Sequence, residues 1–161
     1  MDAGFKRATS LLLDEVIQGA LVRKCGYRAA EILVLGFGQG GMAALVAARE
    51  MAQSQSGSGS AGGDALSGVI SIGAPYPLSG STVGAKSRTP VLLVGGREPT
   101  AVSEGAIRRT KQVFEFVEVH QYARKGDGMP RNRDEMMPVM QFFARRLRSW
   151  QGVPEGSVEI T

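Results

Sequence analysis

Glu31-Ile32-Leu33-Val34-Leu35-Gly36-Phe37-Gly38-Gln39-Gly40-Gly41-Met42 is the stretch that decides the fold of this 161-residue chain. The apolar run ending at Gly36 is unbroken and short, the pattern of a strand buried on both faces. After the glycines, residues 42–51 are rich in alanine and read as a helix. A strand that passes into a helix through so tight a glycine turn places its loop at the carboxyl end of a sheet, where α/β proteins carry their sites.

The same unit recurs on either side of the turn. Upstream, residues 2–24 carry apolar positions at three- and four-residue steps (Phe5, Ala8, Leu12, Val16 and Ala20, flanked by Leu13, Ile17 and Leu21), which predicts a helix stopped by Gly26. Downstream, Val69-Ile70-Ser71-Ile72 and Pro90-Val91-Leu92-Leu93-Val94 read as strands, followed by a helix over 103–114 and a strand over 116–122. A last amphipathic helix is expected over 134–150, with Met136, Met137, Met140, Phe143, Leu147 and Trp150 on or near one face. Asn132 or Asp134 would cap it, and Pro138 predicts a late start or a kink.

Alternating strands and helices predict an α/β, three-layer α/β/α fold around a short, mostly parallel sheet of about four strands. Residues 1–150 are expected to form the domain, with a flexible serine- and glycine-rich loop at 53–64 and a loose tail at 151–161.

Hydrophobic residues make up 43% of the chain, enough for a core, and the net charge of +4 comes from dispersed lysines and arginines. There is no basic stripe interleaved with aromatics, so no nucleic-acid binding is expected. A single cysteine, Cys25, excludes an internal disulfide. With neither a signal pattern nor an apolar run of bilayer length, the expectation is a soluble cytoplasmic protein with no membrane span. Neither a metal nor a cofactor is expected.

Two motifs compete for the glycine turn. In G-x-S-x-G, a serine sits on a strained strand-to-helix turn between glycines that avoid a clash. Gly36 and Gly40 occupy the flanks, and Gly38 stands in the middle. In the dinucleotide fingerprint G-x-G-x-x-G, matched by Gly36, Gly38 and Gly41, an acidic residue should close the next strand. That strand ends Ile72-Gly73-Ala74-Pro75, without an acid. Nucleotide binding therefore stands as an alternative, as does a turn that holds no ligand.

Residues 32–48, ILVLGFGQGGMAALVAA, resemble the elbow of the acyl-protein thioesterase and phospholipase/carboxylesterase family of α/β-hydrolases, which carries G-F-S-Q-G-G there. Residues 68–73, 89–96 and 119–136 are similar, in order, to that family's next strand, third strand and histidine loop. The resemblance implies a partial α/β-hydrolase fold corresponding to the family's C-terminal half. It further implies that about 80–100 residues of the family's domain are absent, by truncation, a mis-started reading frame or a naturally shortened form, which fits single-domain sizes. The strand 32–35 is then expected to expose a sheet edge.

Position by position, the resemblance puts the nucleophile on Gly38, the aspartate on Pro99 with Glu98 one place away, and the histidine on Asp127. Gln39 keeps one backbone oxyanion donor, and Gly36, Gly40 and Gly41 are the elbow glycines. His120, the only histidine, lies inside a predicted strand, while Ser71 and Ser103 are hydroxyls near strand ends without an evident base.

With all three triad positions altered, the expectation is a catalytically degenerate, non-catalytic binding protein. It would take a small acyl or anionic ligand, or a protein partner or second copy at the exposed edge. Arg124, Lys125, Arg131 and Arg133 are expected to lie over the former cleft, as a solvated loop first and as an attraction for an anionic ligand or acidic partner segment second. The alternative is an ester or thioester hydrolase with unorthodox groups, Asp127 and Glu98 activating water.

Overall fold

In the computed structural model, residues 2–55 and 65–147 are described. Of the loop expected at 53–64, residues 53–55 instead continue helix Gln39–Gln55, and residues 56–64, the end of the last helix with Trp150 and the tail at 151–161 lie outside the described residues. The chain opens on helix α1 (Ala3–Ser10), capped by Asp2, which continues as a π-type coil over Leu11–Lys24. The predicted extent holds, but the coil is wider than an α-helix, as in the i→i−5 bond from Cys25 N–H to Ala20 O at 2.9 Å. Apolar steps of four, Leu13 to Ile17 to Leu21, suit the wider coil. It ends where Tyr27 N–H returns to Leu21 O at 3.0 Å.

There follow β1 (Leu33–Phe37), α2 (Gln39–Gln55), β2 (Gly68–Ile72), β3 (Val91–Arg97), α3 (Glu104–Val113), β4 (Val117–Lys125) and α4 (Arg133–Arg146). The four strands form one parallel sheet in the order β1-β2-β3-β4, so each crossover steps to the adjacent strand. Helices cover both faces. The first helical segment, α2 and α3 close one face over Ile17, Leu45, Val69, Val91, Leu93 and Phe114. On the other, Val139 and Phe142 of α4 cover Ile70, Ile72, Leu92, Val94 and Tyr122.

Two expectations are corrected. β1 lies at the sheet edge, as the resemblance implied, but it is not buried on both faces, with Leu35 39% and Phe37 51% exposed. On the α4 side Leu33 packs against the rim of the cluster under α4, whereas Leu35 and Phe37 are left open. The methionines of α4 do not form its buried face. Val139 and Phe142 do, while Met136, Met137 and Met140 stay exposed beside them. α4 also starts before Pro138, capped by Asn132, whose side chain accepts from Glu135 N–H at 2.9 Å. Gly105 does not disturb α3, whose cap is Ser103. Among the described residues, no helix is long and apolar enough to cross a membrane.

The β1–α2 junction leaves no room for side chains at Gly36 and Gly41. A β-carbon on Gly36 would lie 2.5 Å from Gly41 N and closer still to the Gly40 carbonyl. One on Gly41 would strike the Ser71 hydroxyl on β2, whereas one on Gly40 meets nothing within 4 Å. The two glycines that clear the way are therefore Gly36 and Gly41, not the motif's outer pair, Gly36 and Gly40. Gly36→Ala should lower stability by about 3 kcal/mol, the upper end of overpacking costs, because backbone rather than a movable side chain is in the way. Gly40→Ala, inside α2, should raise stability by about 0.5–1 kcal/mol through helix propensity. Urea denaturation of the two single variants checks the contrast.

Candidate functional site

Gly38 is the apex between β1 and α2. Its N–H donates to Ile72 O at 2.9 Å, which ties the apex to the end of β2, and its carbonyl accepts from Gly41 N–H and Met42 N–H to start α2. Its φ is +55°, in the left-handed region that costs a side-chain-bearing residue. A β-carbon there would meet nothing within 4 Å. The turn therefore has the shape of a strained elbow whose apex faces open space. The N–H groups of Gln39 and Gly40 come before the first intrahelical donor of α2, so that helix's positive end is directed at the same space.

Beside the apex lies a cleft of about 480 Å³. Phe5 and Ala8 of α1, Met42 and Ala43 of α2, and Pro77 form its apolar walls, with Gln39 at the elbow end and Asp2 and Ser79 adding polar groups. The local folding reason is plain. Small residues at 40, 41 and 43 keep the first turn of α2 slender, and the amphipathic face of α1 is laid across it.

Asp127 sits just past β4, with its carboxylate turned into the loop after β3. Oδ1 accepts from Gly96 N–H at 2.9 Å and from the Thr100 hydroxyl at 2.5 Å, and Oδ2 accepts from Ala101 N–H at 2.7 Å. Burial pushes its pKa up, but the bonds from Thr100, Gly96 and Ala101 outweigh that and hold it below the usual 3.8. Gly95 and Gly96 make room: a β-carbon on Gly95 would lie 3.0 Å from Oδ1, and one on Gly96 would run into the backbone of Gly126. The sequence signal for this cradle is the Gly95-Gly96 pair, which by itself reads only as the end of a strand. The hydroxyl of Thr100 is a site group that the sequence reasoning does not single out.

Among the other candidates, Glu98, Ser103 and His120 line a separate cleft of about 380 Å³ between the end of β3, α3 and β4. They are not brought together into a bonded set. The Ser103 hydroxyl accepts from Ala106 N–H to cap α3, and His120 lies within β4, its ring edge-on to Tyr122 at 5.9 Å. The Ser71 hydroxyl is fully buried and donates to Ala74 O. Pro99 is exposed in the loop that Asp127 grips. Of the basic loop, Arg124 is not free. It pairs with Glu135 at 2.8 Å and donates to Met129 O, and this pairing, with Arg131 N–H, holds the Glu135 carboxyl below its usual range. Lys125, Arg131 and Arg133 remain exposed. Among the described residues, no cluster of histidine, cysteine, aspartate or glutamate could hold a metal ion.

No protein-family model matches the sequence, and no curated protein matches it either. Solved structures do match. A phospholipase/carboxylesterase from Dyadobacter fermentans superposes with a TM-score of 0.61 at 20% identity, over 87% of this chain and 63% of its own. YahD, solved with malic acid, gives 0.60 at 15%, over 88% and 63%. A point variant of SOBER1 from Arabidopsis thaliana gives 0.62 at 16%, over 92% and 68%. The chain has a partial α/β-hydrolase fold. It spans less than two thirds of the length of the first two of these structures. The resemblance read from the elbow is thus borne out at the level of fold, parallel sheet and helical layers included.

The geometry at Asp127 and Gly38 can be tested at each residue. A carboxylate whose pKa is depressed by folding adds stability above its unfolded pKa, and that stability is lost as pH falls through the folded value. Stability should therefore decline as pH drops through and below 3.8, and Asp127→Asn should flatten that decline when urea midpoints are compared across the acid range. Gly38→Ser should fit without a clash but cost about 1 kcal/mol for its positive φ. It should gain no reactivity toward a fluorophosphonate, because no imidazole is bonded to the apex.

Proposed function

We propose that this protein is a catalytically degenerate member of the carboxylesterase/thioesterase type of hydrolase fold and acts by binding a small acyl ligand in the elbow cleft. The observation that carries this reading is Gly38. The turn keeps its left-handed φ and its open apex, yet no side-chain atom there can attack a carbonyl or carry an acyl group. Without a nucleophile, only residual acceleration from backbone donors and binding is available. An apolar cleft beside a helix N-terminus suits an acyl chain with a polar or anionic head, the chain lying along Phe5, Met42 and Pro77 and the head meeting the N–H groups of Gln39 and Gly40.

Asp127 also favours binding over unorthodox hydrolysis. It accepts three bonds, from Gly96, Thr100 and Ala101, which hold it in the loop after β3, and none of its bonds is to Glu98. Nucleotide binding has no acid at the end of β2 to support it. The open edge of β1 is where a protein partner or a second copy would add, in keeping with the exposure of Leu35 and Phe37.

The test pairs an activity assay with a binding assay. Turnover of p-nitrophenyl esters should stay at background, and a dansylated medium-chain fatty acid should bind with a rise in fluorescence. Ala43→Glu, which puts a carboxylate into the apolar wall, should weaken that binding roughly tenfold or more, equivalent to about 1.4 kcal/mol. Ester turnover abolished by Ala43→Glu would overturn the non-catalytic reading, and unchanged probe affinity in that variant would overturn the choice of cleft.

A further inference from the structure

Arg49 of α2 is the largest fully buried side chain of the described residues, 2% exposed. One terminal nitrogen donates to the Ala85 carbonyl and the other to the Val83 carbonyl at 2.7 Å, and Nε has no acceptor. None of the ion pairs among the described residues involves it. A guanidinium cannot shed its proton, so this charge is held out of water by two neutral carbonyls alone. An apolar side chain of the same volume would fill the space without that cost.

The two carbonyls belong to a segment that lacks regular structure, residues 77–86. Its ends are fastened to α3. Tyr76 N–H donates to the Thr110 hydroxyl at 3.1 Å, Arg109 Nε donates to Tyr76 O at 3.3 Å, and Ser87 N–H donates to Val113 O at 2.8 Å. Between those anchors, the Tyr76 hydroxyl donates to Ser81 O at 3.0 Å, and Arg49 supplies the tie to α2. Gly84, at φ +102°, turns the carbonyls on either side of it toward the same guanidinium. Pro77 and Ser79 of this segment form the wall of the elbow cleft that neither α1 nor α2 provides.

We propose that Arg49 is a positioning residue for that cleft: by drawing Val83 and Ala85 onto α2, it holds residues 77–86 as a strap across the cleft, and release of the clasp opens it. Opening returns the guanidinium to water, which repays part of what is lost with the two bonds. The strap is therefore weakly held compared with the sheet beneath it, the property expected of a segment that must part to admit a ligand. The role of the strap as a wall rests on the acyl-binding reading, whereas the clasp itself does not.

Trypsin cleavage after Lys86, which is exposed within the strap, reads the clasp directly in the full chain without ligand. In Arg49→Met the cut should form at least tenfold faster while the urea midpoint stays near that of the parent, since a hydrophobe replaces a buried charge. Arg49→Lys, which keeps the charge but not the fork, should fall between the two. Should Arg49→Met fail to fold, Gly84→Val tests the same clasp from the strap side and should also hasten the cut. Affinity for the dansylated fatty acid should fall several-fold in the variants that hasten the cut. An unchanged rate of cleavage after Lys86 in folded Arg49→Met and in Gly84→Val overturns the proposal. Fast cleavage in a protein whose parent form binds no fatty acid keeps the clasp and defeats the acyl reading instead.

Discussion

The backbone of α2 lies directly against that of β1 at Gly36, and at Gly41 it lies against the Ser71 hydroxyl of β2, with no room for a further side chain at either place. The positions of the other site elements follow from that contact. It brings the first turn of α2 close to the sheet, so the chain must reverse within one residue, Gly38, which takes the left-handed conformation. It aims the positive end of a 17-residue helix past the carboxyl ends of β1 and β2. It also leaves the slender start of α2 exposed on its outer side, where α1 lies across it and forms the elbow cleft. Were the helix a methyl group further from the strand, the apex, the donors and the cleft would separate.

The fold was readable because its signals are local and repeated. Val69-Ile70-Ser71-Ile72 and Val91-Leu92-Leu93-Val94 are short, mainly apolar runs followed by glycine, and they form adjacent parallel strands in that register. What periodicity could not convey was which strand lay at the edge. Ile32-Leu33-Val34-Leu35 has the composition of a central strand, and its exposure depends on what pairs with it and on where α4 sits, neither of which is written in the run itself. The last helix misled for a related reason. Met136, Met140 and Leu147 recur at helical spacing, but Val139 and Phe142, with Phe143 partly buried beside them, make the contact.

The site was legible in its residue identities and opaque in its partners. That Gly38 has no hydroxyl is a fact of sequence. That Asp127 turns its carboxylate into the loop at 96–101 depends on three donors brought together by tertiary structure, two of them backbone N–H groups that no side-chain motif encodes. The same holds for Arg49. One arginine in a run of alanines looks like a solvated position on a surface helix, and its burial becomes visible only once the segment at 83–85 is folded over it.

Gly38, Asp127 and the elbow donors together describe a trade of chemistry for structure. A residue with a side chain at the apex would hold φ near +55° at a standing cost of about 1–3 kcal/mol, tolerated where the strain presents a nucleophile. Glycine removes that cost and the nucleophile with it. Asp127 accepts three bonds from the loop after β3 and joins the ends of β3 and β4. A carboxylate so held favours the ionised, immobile state, the reverse of what proton transfer near neutral pH requires. The features that remain unspent are the open apex, the N–H groups of Gln39 and Gly40, and the apolar cleft beside them. On the reading proposed above they serve binding, and they come from the packing at Gly36 and Gly41 rather than from any catalytic side chain.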